Sequence, residues 1–137
     1  MNDSENLFYF KNSKELISFL KKEGDYSLFA ELCGLVGLDE NDNIVYKKMQ
    51  NRSKSPEAYF LIDPFDYLSF MKNYRILVIY HTHLYGDSSP SDFDEKTSEN
   101  CCFPFLIYSV TTEKFSIYEP KNKDYDVNIM QRLKELA

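Results

Sequence analysis

A chain of 137 residues, 43% hydrophobic and 28% charged, has the length and composition of one folded domain spanning residues 1–137, with enough apolar side chains for a core and no bias toward disorder. Its formal charge of -6 leaves no excess of lysine and arginine to displace counterions, which excludes nucleic acid as the expected partner, and no apolar stretch reaches the length of a membrane span. Residues 1–6 lack the basic n-region of a signal peptide, so a cytoplasmic location is expected; Cys33, Cys101 and Cys102 form neither a disulfide framework nor a Cys-x-x-Cys metal pair.

In chain order, Leu16, Ile17, Phe19 and Leu20 predict a helix over residues 13–22, capped by Ser13, broken at Gly24 and resuming over 26–30. The apolar run 32–38 and the segment 44–48 predict two strands joined by the polar turn 39–43, a hairpin. Cys33 lies in the first of them and reads as a buried thiol. A loop over 51–57 leads to a short strand over 58–62. Asp63 and Pro64 then open a helix carrying Phe65, Tyr67, Leu68, Phe70 and Met71 and ending near Asn73. Residues 75–83 form the central strand, apolar on both faces and so expected to be covered on both sides. The turn-rich loop 84–90 precedes a helix from Ser91 to about Asn100. Strands over 105–109 and 114–118, a polar stretch over 120–126 and a helix over 127–136 complete the chain. This order describes an α+β fold, a single mixed sheet flanked by helices. The aromatics at 60, 65, 67, 70 and 105 sit in apolar periodic segments and are assigned to the core rather than to a stacking platform.

Both histidines of the chain fall in His81-Thr82-His83 at the end of the central strand. Alternate residues of a strand share a face, so the two imidazoles point the same way and supply half of a zinc site. Asp94, in the first turn of the next helix, can add an oxygen and leave the fourth tetrahedral corner open. Zinc held this way lowers the pKa of the attacking water, provided that a base receives its proton. Ser91 lies three residues before Asp94, about one turn away, where its hydroxyl can donate to the oxyanion of a tetrahedral intermediate. Taken singly, these residues have ordinary explanations: Ser91 caps its helix and Asp94 is an acidic first-turn partner. Asp87 and Asp92 are assigned as loop and helix-start charges.

The pattern His81-x-His83, Ser91, Asp94 resembles, in residue type and spacing, the signature of the JAMM (MPN+, Mov34) metallopeptidases. Glu31, leading into Leu32-Cys33-Gly34-Leu35-Val36, resembles the family's upstream glutamate and would be its general acid/base, ranking above Glu23, Glu40 and Glu57. Within the family, the bacteriophage tail assembly protein K group is similar in Asn51-Arg52, in the segment from Tyr59 to Tyr67 and in the segment from Phe103 to Ser109. The similarity covers about residues 14–120. Leu84 stands where the family usually has proline. The resemblance implies the JAB/MPN, cytidine-deaminase-like architecture and a zinc site with ligands His81, His83 and Asp94 and catalytic residues Glu31 and Ser91. It also implies hydrolysis of a peptide or isopeptide bond in a phage tail component or a peptidoglycan peptide, in the host cytoplasm or the virion tail. Two further readings stand beside it: a non-catalytic tail-tip module in which zinc staples the loop 84–90, and a bacterial peptidase that removes ubiquitin-like modifiers.

Overall fold

A strand that is apolar on both faces needs cover on both sides, and the computed structural model, which describes residues 6–122, 125 and 127–137, provides it. Along the chain run β1 (Leu7–Phe10), α1 (Ser13–Tyr26), β2 (Cys33–Leu38), β3 (Ile44–Met49), α2 (Pro64–Asn73) and β4 (Arg75–His83). After them come α3 (Asp92–Cys101), β5 (Phe105–Ser109), β6 (Lys114–Tyr118) and α4 (Val127–Leu136). The strands form one six-stranded sheet in the order β1-β3-β2-β4-β5-β6, parallel only between β4 and β5 and antiparallel elsewhere. This is the expected mixed sheet flanked by helices. The parallel pair requires a crossover, and α3 is that crossover.

Leu16 and Leu20 of α1 and Met130 and Leu133 of α4 pack on one sheet face with Val78, Tyr80, Leu106 and Tyr108. Ile79, Phe105, Ile107, Cys33 and Leu35 line the other face with Phe60 and Phe70. A bulge beside Val36 and Gly37 sets this phase, because past it the odd-numbered residues of β4 face the second cluster. His81 and His83 therefore emerge on the second face, while Thr82 points to the first.

Four local expectations are corrected. Asn12 rather than Ser13 caps α1, its Oδ1 accepting from the Glu15 amide at 2.9 Å. The helix also runs unbroken through Gly24 and stops at Tyr26, with no helix over 26–30. Any Cβ at Gly24 would stand 2.7 Å from the Tyr108 ring and 2.9 Å from the Tyr80 hydroxyl. The glycine is thus a close approach of helix to sheet, which offsets its helical cost of about 1 kcal/mol. Residues 58–62 form no strand but close an irregular loop. Phe65 is exposed, as are Leu68 and Met71, and only Phe70 of α2 is buried, since this short helix touches the sheet along one edge.

The strand β1 is an addition, a four-residue run of one leucine and three aromatics without polar alternation that becomes a strand by pairing antiparallel with β3. Residues 1–5 of the N-terminal segment and residues 123, 124 and 126 of the polar stretch lie outside the described residues. Among the described residues no helix is long and apolar enough to cross a membrane.

Candidate metal centre

The site forms where β4 ends and the crossover helix begins. Its chain connection is built around a capping box: the Ser91 side chain accepts from the Asp94 amide at 3.0 Å, and Asp94 Oδ2 accepts from the Ser91 amide at 3.0 Å. The box fixes the Asp94 carboxylate toward the strand. Asp94 Oδ2 lies 2.9 Å from His83 Nε2 and Oδ1 lies 3.1 Å from His81 Nε2. One donor atom from each of the three residues falls within 4.8 Å of the others, a group that could hold a metal ion. His81, His83 and Asp94, which the sequence offers as ligands, thus lie together.

Two observations test the fit. His81 is fully buried, stacked on Phe60 at 4.4 Å and edge-on to Phe105 at 5.3 Å, and neither of its ring nitrogens has an aligned hydrogen bond among the described residues. Leaving such nitrogens unsatisfied is costly, and a cation bound to one of them with Asp94 and His83 removes part of that cost. The Nδ1 of His83 lies 3.0 Å from the Asp87 carbonyl, so it carries a proton, and Nε2 is turned to the centre, where a metal would displace its own proton. Asp87 therefore contributes its backbone; its carboxylate caps the loop by accepting from the Ser89 amide at 2.9 Å.

The electrostatics follow from burial and from Asp94. Burial lowers the pKa of His81 below that of a free histidine, against the opposing pull of the Asp94 carboxylate. For His83 burial also lowers, but hydrogen bonds to Asp94 and to the Asp87 carbonyl outweigh it and the net shift is upward. Burial would raise Asp94, yet the two imidazoles, at 3.1 Å and 2.9 Å, hold it well below the usual carboxylate range. The group is a permanent anion between two imidazoles, the donor set that a hard or borderline divalent cation takes.

Glu31 lies just before β2, is 6% exposed, and has its pKa pushed by burial up to about 8, with His83 lowering and Asp94 raising it. Its backbone is anchored on both sides. Thr82, between the two histidines, accepts from the Leu32 amide at 2.8 Å through its hydroxyl, and its own amide donates to the Leu32 carbonyl at 3.0 Å. The other anchor is Asn51. Its Nδ2 donates to the carbonyls of Glu31 at 2.9 Å and Tyr59 at 3.0 Å, and its Oδ1 accepts from the amides of Ser53 at 3.0 Å and Leu61 at 3.1 Å. One amide side chain thereby fixes the loop that carries Phe60 onto His81. Replacing Asn51 with alanine is expected to lower the urea-unfolding stability by about 2 kcal/mol and to weaken metal binding about tenfold. Asn51→Asp, which keeps the acceptor half, should fall between parent and alanine when both quantities are titrated.

Glu31, Tyr59, His83, Ser91 and Asp94 line one cleft of about 630 Å³. Ser91 stands at its mouth with the hydroxyl oxygen occupied as an acceptor and the proton free to donate. The loop 84–90 is held by side chains of β5, β6 and the turn between them. Thr111 donates to the Leu84 carbonyl at 2.9 Å, Ser109 to the Gly86 carbonyl at 2.7 Å, and the hydroxyls of Ser88 and Ser116 bond to each other. The sequence assigns no site role to Thr82, the Asp87 carbonyl or Phe60, which it places in the core, where it also lies. Asn51 enters the sequence reading only as a point of similarity. None of the four carries a chemical signature of its own. Cys33 is fully buried with its thiol raised by burial to about 12, an inert group as expected, and the three cysteines are free.

Comparison with known proteins agrees with this geometry. Residues 17–122 match the family described as prokaryotic homologs of the JAB domain. Among solved structures, the solution structure of a Desulfitobacterium hafniense protein from a structural-genomics programme is 24% identical. It aligns with a TM-score of 0.56 over 77% of this chain and 78% of its own, a likeness of fold. No curated protein matches.

Proposed function

Since this chain belongs to the family of prokaryotic homologs of the JAB domain, we propose that it is a zinc-dependent peptidase or isopeptidase with His81, His83 and Asp94 as ligands. The observation that carries the reading is a His81-His83-Asp94 group whose His83 and Asp94 line one cleft with Glu31, a carboxyl raised to about 8. Zinc, when bound, supplies a Lewis acid that polarises the scissile carbonyl and acidifies the attacking water.

The chain's own residues do the rest. Glu31 accepts the proton of the water as its oxygen attacks the carbonyl carbon, and gives it to the amide nitrogen as the C–N bond breaks, releasing an acid and an amine. A carboxyl with a pKa near 8 suits both halves of that transfer near neutral pH. The free hydroxyl proton of Ser91 donates to the oxyanion. Thr82 and Asn51 keep Glu31 beside the histidines. The resemblance to the tail assembly group favours a phage tail component or a peptidoglycan peptide as substrate. The bonds from Ser109, Thr111 and the Ser88–Ser116 pair already fix the loop 84–90, so the catalytic reading is preferred to a zinc staple.

The test is a set of peptide- and isopeptide-linked substrates read by mass spectrometry. Zinc-loaded protein is expected to cut at least one of them, chelation to stop the cleavage, and added zinc to restore it. Stoichiometric zinc with every bond intact would leave only the structural role.

A further inference from the structure

The cleft beside the metal centre has a charge and a shape that select among peptides. Besides Glu31 and Asp94 it is lined by Glu57, Asp87 and Asp92, with no lysine or arginine among its lining residues. With Glu31 protonated at neutral pH, the other four carboxylates still outweigh a divalent cation. Glu57 and Asp92 have no ion-pair partner among the described residues, and both are exposed. In the same cleft the rings of Tyr59 and Phe93 meet edge to face at 5.3 Å and 74°, and each residue is about half exposed, 49% and 46%. Tyr59 comes from the loop tied by Asn51, two residues after Glu57, and Phe93 from the first turn of α3, next to Asp92, so each ring is a near neighbour along the chain of one of the two carboxylates.

We propose that this cleft binds an extended peptide segment carrying lysine or arginine next to the scissile bond, the cationic side chain lying against the Tyr59–Phe93 pair with its charge toward Glu57 and Asp92. The proposal rests on the peptidase reading for the words "scissile bond", but its binding half does not. Aromatic faces attract a cation, the aliphatic stem of lysine or arginine covers ring surface, and the unpaired carboxylates take the charge. A cleft lined by one sign of charge also concentrates peptides of the opposite sign. An acidic segment meets like charge on both walls of the same cleft and is rejected.

The experiment uses two short dye-labelled peptides of alanine and glycine, one with two central lysines and its twin with two glutamates. Fluorescence anisotropy follows their binding to the zinc-loaded Glu31→Gln protein. The lysine peptide is expected to bind about tenfold tighter than its twin at low ionic strength, and the difference to shrink as salt is added. The double variant Glu57→Gln/Asp92→Asn, whose changes lie on exposed side chains and whose melting temperature is checked against the parent, should erase most of that preference. Equal binding of the twins, preference for glutamate, a preference untouched by the double variant, or no binding of either peptide would each overturn the proposal. Cleavage assays on the parent separate the two ideas. Lysine-selective binding without cleavage of any amide removes the peptidase reading and leaves the cleft's selectivity, whereas cleavage indifferent to charge does the reverse.

Discussion

Glu31→Gln protein is expected to hold zinc as the parent does and to lose hydrolysis by about a thousandfold or more, the scale of a general acid/base contribution. The substitution keeps shape and burial and leaves His81, His83 and Asp94 untouched, so zinc per chain by atomic absorption should not move. Turnover equal to the parent's would remove Glu31 from its assigned role. The same variant makes a second, metal-free prediction. Burial raises the folded pKa of Glu31 from 4.5 to about 8, so ionising the group inside the fold is unfavourable. Its contribution to stability is fully present below pH 4.5 and is lost as pH rises through about 8. With chelator present, Glu31→Gln should therefore match the parent near pH 4 and exceed it at pH 9 by on the order of 3 kcal/mol in urea unfolding. A variant less stable than the parent at high pH would contradict the buried, unpaired placement of this carboxyl.

His83→Ala is expected to abolish stoichiometric zinc. The parent should carry about one zinc per chain, and excess zinc at a thousand times its Kd should stabilise it by about 4 kcal/mol. The alanine variant should gain almost nothing from the same addition, because His81 and Asp94 alone leave a two-ligand site. Metal-free His83→Ala should also be modestly destabilised, since Asp94, only 4% exposed in the parent, loses the 2.9 Å bond from Nε2. Calorimetric scans with and without zinc separate the two effects. Equal zinc content in parent and variant would dissolve the proposed ligand set.

Much of this was legible beforehand, for reasons that differ by element. The strand β4 could be read because an apolar run ending in His-Thr-His has one plausible periodicity, and period two puts both imidazoles on one face. Ser91 and Asp94 could be read because a capping box is a local code: both partners lie within a single turn. The helix α2 and the hairpin of β2 and β3 announced themselves through Asp63-Pro64 and a polar turn. The failures share a cause as well. Gly24 signals a break only if the helix is considered alone; with the Tyr108 ring 2.7 Å from its missing Cβ, glycine becomes the residue that lets the helix continue. The largely aromatic run of β1 is a strand because β3 offers it an edge, and the segment 58–62 is not one because Asn51 takes its backbone groups.

The sequence by itself determined the chemistry: which residues could bind a metal, on which face of a strand two of them lie, and how a helix start presents the third. Those facts depend on local geometry, a two-residue period and a one-turn cap, and neither needs the rest of the chain. Only the tertiary structure decided that Glu31, fifty residues before His81, reaches the same cleft, and that its pKa is raised there. Both depend on long-range contacts: β2 pairing with β4, Thr82 clasping Leu32, Asn51 holding the Glu31 carbonyl and the desolvation that their packing imposes. Position in a strand can be counted along the sequence, but burial is a property of what the fold brings to lie on top.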